Sequence, residues 1–376
     1  MTGNFGVDAF NSFLLNAKER IGPGLPQHIV LGNESADLDS IVSASMYAYF
    51  LHRRFSGAGV NIAPLANIPS SDISLRPDVL FLFTEAGVDE RNLVFLDSFQ
   101  SGDFLSGGRL RLTLIDHNDL APSQFHLKRA VVEILDHHAD EKQFPDLERR
   151  VIEPVGSCAT LVAERILTAS PELLDERLAL FLLGPILLDT VNLDPSKGRC
   201  REKDLSIASR LLAVARFSRT EFFDRLRERR GDLSSIGPPA ALRRDFKSWT
   251  AGGFRFGASV IPVEVGSWLD GRPGVLSAIR DFASTMRLDL YLIMAYHLKG
   301  VFSRELIAYS ADGRLLRDAH AAFLKPLLAL EPLAGMDLES DSRENFLFSI
   351  QGNTDISRKI LAPKLKRHLL SAQGLS

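Results

Sequence analysis

Short clusters of aspartate and histidine follow four apolar runs of this chain. Asp189 comes directly after the run Gly184–Leu188, and the other clusters are Asp37-Leu38-Asp39, Asp116-His117-Asn118 and Asp136-His137-His138. Mixed sets of carboxylates and imidazoles bind divalent cations that activate water for phosphate chemistry. The residue types therefore predict a metal site, and the chemistry expected of it is hydrolysis at phosphorus.

The apolar runs are predicted to be strands that deliver these clusters to one place. The run His28–Leu31 is followed by helical spacing from Ser40 to Phe55, so Asp37 and Asp39 are expected on the turn between a strand and a helix. Similar apolar runs recur at residues 93–96, 112–115 and 130–135. This alternation predicts an α/β fold with a mostly parallel sheet flanked by helices. Ligands of such sheets bind beyond the carboxyl ends of the strands, where all four clusters, Asp189 included, are expected.

The length of 376 residues favours two domains. We expect a metal-binding catalytic domain over residues 1–225, a linker over 226–240 and a smaller α+β domain over 241–376, with the active site in the cleft between the domains. Residues 241–376 hold 18 Lys and Arg against 14 Asp and Glu, whereas the remainder holds 26 against 33. An acidic metal-loaded domain facing a basic anion-binding one would show this asymmetry, and so would ordinary solvated surfaces.

Composition excludes several classes of protein. Apolar residues make up 45% of the chain, but no apolar run is long enough to span a bilayer, and the N-terminal sequence does not resemble a secretory signal. With only Cys158 and Cys200 present, a disulfide framework is not expected. We therefore expect a cytoplasmic protein, with a monomer favoured. The acidic first domain lacks clustered arginine and aromatic residues, which argues against a nucleic-acid partner.

The ordered motifs resemble those of the DHH phosphoesterase superfamily. The matching segments are Gly32–Ser40 (GNESADLDS), Asp116-His117-Asn118, Asp136-His137-His138, Gly156–Thr160 (GSCAT) and Leu188-Asp189-Thr190. The form GNESADLDS and the segment Leu75–Val79 (LRPDV) are similar to the eukaryotic-type cytosolic exopolyphosphatases and their prune relatives. The second half resembles the DHHA2 type of C-terminal domain around residues 244–247, 303–306 and 357–359. The resemblance spans nearly the whole chain.

This resemblance implies a role for each matching residue. The implied metal ligands are Asp37, Asp39, Asp116, His137 and Asp189. His138 would face the substrate phosphate as a catalytic residue, together with Asn33. Related manganese-dependent inorganic pyrophosphatases have a histidine ligand where this chain has Asn33, so one of two metals should bind more weakly here. Phosphates would be held by Ser157, Lys247, Arg304, Arg358 and Lys359.

The resemblance further implies an exopolyphosphatase that releases orthophosphate from the end of inorganic polyphosphate. An oxygen-rich site with little imidazole favours Mg²⁺ or Mn²⁺, with Co²⁺ as a substitute. One alternative is a hydrolase of pyrophosphate, cyclic nucleotides or nucleoside and short polyphosphates on the same scaffold. A further alternative is a prune-like regulatory protein with little turnover.

Each motif also has a purely structural interpretation. Asp37, Asp39 and Ser157 could cap helices, because these residue types are common at helix N-termini. Asp189 followed by a threonine suits a turn, and the charges of Arg358 and Lys359 could simply be solvated. Adjacent histidines behind an aspartate, as in Asp136-His137-His138, favour a functional interpretation.

Overall fold

The chain folds into two compact units, residues 1–230 and residues 231–376. The structure is a computed structural model, and it describes residues 5–55, 59–105, 108–232, 236–272, 274–299, 301–334 and 345–372. Part of the predicted linker, residues 233–235, lies outside these ranges. No helix within them combines the length and the apolar character needed to cross a membrane.

Unit 1 is built on a six-stranded parallel sheet, as the sequence predicted. Its strands are β1 (Gln27–Leu31), β2 (Asn61–Ala66), β3 (Val94–Phe95), β4 (Leu110–Ile115), β5 (Val131–Asp136) and β6 (Arg150–Ile152). Its helices are α1 (Val7–Glu19), α2 (Leu38–Arg54), α3 (Pro77–Ala86), α4 (Gly102–Leu105), α5 (Cys158–Ala169), α6 (Glu176–Asp189), α7 (Glu202–Ala215) and α8 (Arg219–Gly231). The last helix ends one residue into the second unit, within the segment predicted as linker.

The strand order β3-β2-β1-β4-β5-β6 defines where a ligand can bind. The chain builds outward from β1 to β3 in one direction and from β4 to β6 in the other, so connections leave β1 and β4 toward opposite sides. A crevice forms beyond the carboxyl ends of two such strands. All five residues of β1 are buried, which is typical of a parallel strand covered by helices on both faces.

Unit 2 is an α+β domain with a mixed six-stranded sheet of order β11-β12-β10-β9-β8-β7. Its strands are β7 (Phe246–Ala251), β8 (Phe254–Ile261), β9 (Leu290–Lys299), β10 (Val301–Tyr309), β11 (Leu330–Pro332) and β12 (Phe346–Gln351). Its helices are α9 (Pro238–Arg244), α10 (Val265–Asp270), α11 (Val275–Thr285), α12 (Gly313–Ala319), α13 (Lys325–Leu328) and α14 (Arg358–Ala372). Among the described strands of this sheet, only β8 and β9 pair in parallel. The fold class of both halves is therefore as predicted.

A histidine is buried inside the sheet of unit 1. His28 Nε2 on β1 lies 2.9 Å from Thr113 Oγ1 on β4. Burial, together with the positive charges of Arg111 and Arg149, lowers the pKa of His28 to about 4. The folded protein therefore holds this imidazole in its neutral form.

We expect the stability of unit 1 to fall as the pH drops from 6.5 to about 4. Unfolded chains take up the histidine proton near pH 6.5, whereas the folded protein resists it, so the loss reaches roughly 3 kcal/mol. His28→Gln keeps a hydrogen-bonding side chain that does not titrate. Urea unfolding of both proteins at about pH 7 and about pH 4.5, each with a chelator present, should show the steeper loss in the wild type. The same loss in both proteins would contradict this assignment.

Candidate metal centre

Two aspartates of the first motif lie where β1 passes into α2. Gly32 makes this turn, since a Cβ there would come within 2.5 Å of Ser40 Oγ. Asp37 caps α2 by accepting a hydrogen bond from the Ser40 amide at 3.1 Å. Asp39 follows in the first turn and is buried, with 3% of its surface exposed. The predicted placement on a strand-to-helix turn is thus confirmed for Asp37.

Asp39 also closes the N-terminus of α5. Its carboxylate accepts hydrogen bonds from the amides of Cys158 at 2.6 Å and Ala159 at 2.9 Å, and from Ser43 Oγ at 2.9 Å. The anion that these amides bind is therefore the Asp39 carboxylate. Ser157, at the N-cap of α5, is buried, and its hydroxyl has no hydrogen-bond partner among the described residues.

Asp116 lies directly beyond β4, with a left-handed backbone φ of 64°. Its amide donates to the Leu135 carbonyl at 3.0 Å, which fixes the residue against β5. Asn33 Nδ2 donates to its Oδ2 at 2.5 Å, whereas Oδ1 is buried without a hydrogen-bond partner among the described residues. Burial and the charge of Asp39 raise the pKa of Asp116 well above its usual range. One oxygen is therefore left for a positive group.

The rings of His137 and His138 are held in defined orientations. His137 Nδ1 lies 3.0 Å from the Val155 carbonyl, and His138 Nδ1 lies 2.8 Å from Asp136 Oδ1. Both partners only accept, so each Nδ1 carries a hydrogen and each Nε2 is left for another ligand. Asp136 also accepts from the amides of both histidines, at 2.7 and 3.2 Å. Burial would raise the pKa of Asp136, but the hydrogen bonds from His138 outweigh it and bring the pKa to about 2.

Three oxygen and nitrogen ligands converge at one point. His137 Nε2 lies 3.2 Å from Asp116 Oδ1 and 3.7 Å from Asp39 Oδ2. Asp116, His137 and His138 each offer a ligand atom, and these atoms lie within 4.8 Å of one another. Burial alone would lower the pKa of His137, yet Asp116 and Asp39 raise it to about 10. Two buried carboxylates thus require a positive charge between them, and a divalent cation fits this donor set.

Asp189 belongs to a helix, and the prediction that it ends a strand was wrong. It is the last residue of α6, which contains Pro185 and is buried along most of its length. A short apolar run cannot by its periodicity be told from a buried helix, which explains the error. Gly184 lets α6 pack closely on α3, since a Cβ there would meet Leu82 at 2.5 Å. After α6 the chain makes a left-handed turn, with positive φ at residues 191–193.

The Asp189 carboxylate lies close enough to the cluster to interact with it electrostatically. Burial and the charge of Asp39 raise its pKa to about 7, and Arg230 opposes that shift. Its Oδ1 lies 3.6 Å from Arg230 Nη1 on α8. Asp37 likewise acts on Asp116 through its charge. The structure thus places Asp39, Asp116, His137 and His138 in contact. Asp37 and Asp189 interact with this cluster through their charges.

Both polar atoms of the Asn33 side chain make hydrogen bonds. Its Oδ1 accepts hydrogen bonds from the amides of Ser35 at 2.8 Å and Ala36 at 3.2 Å and from the Ser35 hydroxyl at 2.5 Å. Its Nδ2 donates to the carboxylate and the carbonyl of Asp116. The side-chain amide of Asn33 therefore shapes the turn and holds Asp116 in place. The lone pairs of its oxygen face the turn and not Asp116.

Four predicted phosphate-binding residues lie in unit 2. Arg304 is buried and donates to the Thr354 carbonyl at 2.8 Å. Arg358, the first residue of α14, is also buried and donates to Asp245 Oδ1 at 2.6 Å. Lys247 lies on β7 and is partly buried, and Lys359 is exposed. The two arginines thus organise loops of their own unit.

Sequence reasoning assigned no role to three supporting side chains. Arg76 is buried and donates to the carbonyls of Ser35 at 2.6 Å and Ala36 at 3.0 Å, which clamps the loop that leads to Asp37. Asp204 accepts from the Gly156 amide at 2.8 Å beside α5. The third is Asp136, whose place in the histidine motif was the available signal. Asn118 supports it through a hydrogen bond of 2.5 Å to Oδ2.

Fold and donor set together define an α/β protein with a metal-binding site at the switch point of a parallel sheet. Residues 27–185 match the family model "DHH family, N-terminal domain", and residues 224–368 match "DHHA2 domain". The chain belongs to the DHH family and carries its DHHA2 domain. The resemblance inferred from the motifs is therefore confirmed.

Known proteins similar to this chain include a polyphosphatase and pyrophosphatases. The chain is 34% identical over 370 residues to "Exopolyphosphatase PRUNE1" of Bos taurus, across 95% of this chain and 79% of the bovine protein. It is 25% identical over 243 residues to "Manganese-dependent inorganic pyrophosphatase" of Methanocaldococcus jannaschii, across 62% and 71% of the two chains. A crystal structure entitled "putative family II inorganic pyrophosphatase", from Methanococcus jannaschii, has a TM-score of 0.62 at 21% identity and covers 91% of this chain and 99% of its own. That likeness shows the fold.

Asp136→Asn should weaken binding of Mn²⁺ by roughly 10- to 100-fold. The amide offers one acceptor oxygen where the carboxylate offers two, so His138, Asn118 and the loop amides lose part of their support. Calorimetric titration with MnCl₂ measures the effect. Asp140→Asn is a matched control, because Asp140 lies in the same loop but is paired with Arg150 at the surface. Unchanged Mn²⁺ affinity in Asp136→Asn would refute the supporting role.

Proposed function

We propose that this chain is a metal-dependent exopolyphosphatase, which hydrolyses the terminal phosphoanhydride of inorganic polyphosphate and releases orthophosphate. The observation that carries the proposal is the convergence of Asp39, Asp116 and His137 Nε2 within 3.7 Å, beside His138. The name of the bovine relative, to which similarity extends over 95% of this chain, supports the choice of substrate.

The residues of unit 1 divide into ligands and supports. Asp39, Asp116 and His137 would hold one divalent cation, with Asp37 and Asp189 as further carboxylate ligands. When bound, such a cation lowers the pKa of a water and neutralises charge on phosphoryl oxygens. Mg²⁺ or Mn²⁺ suits this oxygen-rich set, and Co²⁺ would substitute. The supports keep each ligand atom in place before any substrate arrives.

His138 is the proposed acid of the reaction. Its Nδ1 donates to Asp136, so its Nε2 is directed away from that carboxylate. In the protonated form, Nε2 would donate to a phosphoryl or leaving oxygen, and Asp136 would stabilise the imidazolium. The buried Asp136 thus orients the ring and supports its positive charge.

Unit 2 would supply positive charge to the rest of the polyphosphate chain. Lys247 and Lys359 are compact charges that suit phosphate oxygens, and Arg358 offers a planar fork. The Arg358 fork already binds Asp245, so we propose that it positions this strand and helix and shares its charge with the substrate. A cytoplasmic monomer is also part of the proposal. Both cysteines are free and buried, which is consistent with a reducing compartment.

Removal of a metal ligand should abolish phosphate release. We expect the wild type to hydrolyse polyphosphate with Mg²⁺ or Mn²⁺ and to lose this activity with EDTA. Turnover should decrease by more than about 100-fold in Asp116→Ala and His137→Ala, because removing a metal ligand weakens the site more than removing a supporting side chain does. Asp97→Ala and His126→Ala are matched controls at exposed positions. Full turnover in the ligand variants would disprove the assignment of the metal site.

The same assay separates the proposal from its alternatives. A graded polyphosphate series, pyrophosphate, a cyclic nucleotide and a nucleoside tetraphosphate, compared side by side, identify the preferred substrate. Preference for a compound other than polyphosphate would assign a different hydrolase on this scaffold. Mn²⁺ binding without release from any compound would favour a regulatory protein.

Asn33→His should strengthen metal binding at a cost in stability. The imidazole restores a ligand beside Asp116, and pyrophosphate hydrolysis should rise relative to polyphosphate hydrolysis. The variant loses the hydrogen bonds from Ser35 and Ala36, which costs about 1–3 kcal/mol. Asn33→Ala is the matched control, since it loses the same bonds without adding a ligand. The two substrate rates, Mn²⁺ titration and thermal unfolding test the pair. Equal Mn²⁺ affinity in both variants would contradict the predicted effect of the imidazole.

A further inference from the structure

The helix α8 is anchored to α3 along one face. Arg225 makes two hydrogen bonds with the Glu85 carboxylate, at 2.8 and 3.0 Å, and its guanidinium lies 5.0 Å from the Phe81 ring centre. Arg229, one helical turn later, lies 5.8 Å from the centre of the same ring. The body of the helix is therefore fixed by arginines that have defined partners in unit 1.

Arg230 is directed toward Asp189. Successive residues of a helix are rotated by about 100°, so Arg230 does not share the face of Arg229. Its Nη1 lies 3.6 Å from Asp189 Oδ1, and a third of its side chain is exposed. Asp189 is one of the proposed ligands of the cation. A permanent positive charge therefore already neutralises a carboxylate that the cation would use.

We infer that Arg230 is the internal counter-ion of Asp189 until a cation binds, and that it then becomes a phosphate-binding side chain. This inference rests on the proposed metal site and adds a substrate-binding residue to it. A guanidinium and a divalent cation repel each other at this range and compete for the same carboxylate. Once released, the guanidinium would lie beside phosphates bound to that cation, and its planar fork matches their oxygens.

The position of Arg230 suits this exchange. The Cα atom is part of an anchored helix, whereas the long side chain is partly exposed and can reorient. The positive charge of Arg230 also offsets the repulsion that Asp39 and Asp37 exert on Asp189. The same charge disfavours the cation, so its removal has opposite effects on the binding of cation and substrate.

Binding of Mn²⁺ and of imidodiphosphate, a non-hydrolysable phosphate probe, tests the exchange without measuring turnover. Calorimetric titration of the full chain should show Mn²⁺ bound roughly three- to tenfold more tightly by Arg230→Gln than by the wild type. The Mn²⁺-loaded variant should bind imidodiphosphate roughly three- to tenfold more weakly. Arg230→Lys keeps the charge and should stay close to the wild type in Mn²⁺ affinity.

Arg225→Gln is the matched control, since it removes the same charge from the same helix at a site paired with Glu85. Both affinities should remain at wild-type values in this variant. Equal or weaker Mn²⁺ binding by Arg230→Gln, or unchanged imidodiphosphate binding, overturns the inference while the metal site stands. A wild-type protein that binds no Mn²⁺ would overturn the metal site and the inference together.

Discussion

The site depends on two buried carboxylates that face one imidazole nitrogen. Asp39 and Asp116 are almost completely buried, and His137 Nε2 lies within 3.7 Å of both. Buried negative charges this close cannot both persist without a positive charge between them. A proton on His137 meets this requirement in the free protein, and a divalent cation meets it with more charge. The surrounding structure keeps other charged groups away from these two carboxylates and this imidazole.

Neutral donors occupy the remaining lone pairs. Two amides at the N-terminus of α5 bind Asp39, and the amide of Asn33 binds Asp116 Oδ2. Such donors stabilise a carboxylate without supplying a full positive charge, so the oxygens directed inward keep their attraction for a cation. On the other side, the Asp136 carboxylate accepts a hydrogen bond from His138 Nδ1 and so fixes that ring. The geometry of the site is thus set before metal or substrate binds.

The parallel sheet and the turns at its carboxyl edge could be predicted from sequence, because β1, β4 and β5 are short apolar runs. Asp116 follows β4, Asp136 ends β5, and the turn after β1 leads to Asp37. Asp189 could not be placed correctly. Its apolar run has the length of a strand, and Gly184-Pro185 looks like a helix-breaking pair. Packing of α6 against α3 overrides that local preference, and packing is not visible in a single sequence. The same limit hid Arg76, Asp204 and Arg230, which act through tertiary contacts.

The structural and functional interpretations of the motif aspartates are not alternatives. Asp37 caps α2, and Asp39 closes the N-terminus of α5 while it also faces His137. A carboxylate has about four lone-pair sites, so one residue can satisfy a helix end and still offer an oxygen to a cation. Using one residue for both tasks ties the positions of α2, α5 and β5 to the same point. The cap therefore places the ligand, and a cation at that point would in turn stabilise the packing of both helices.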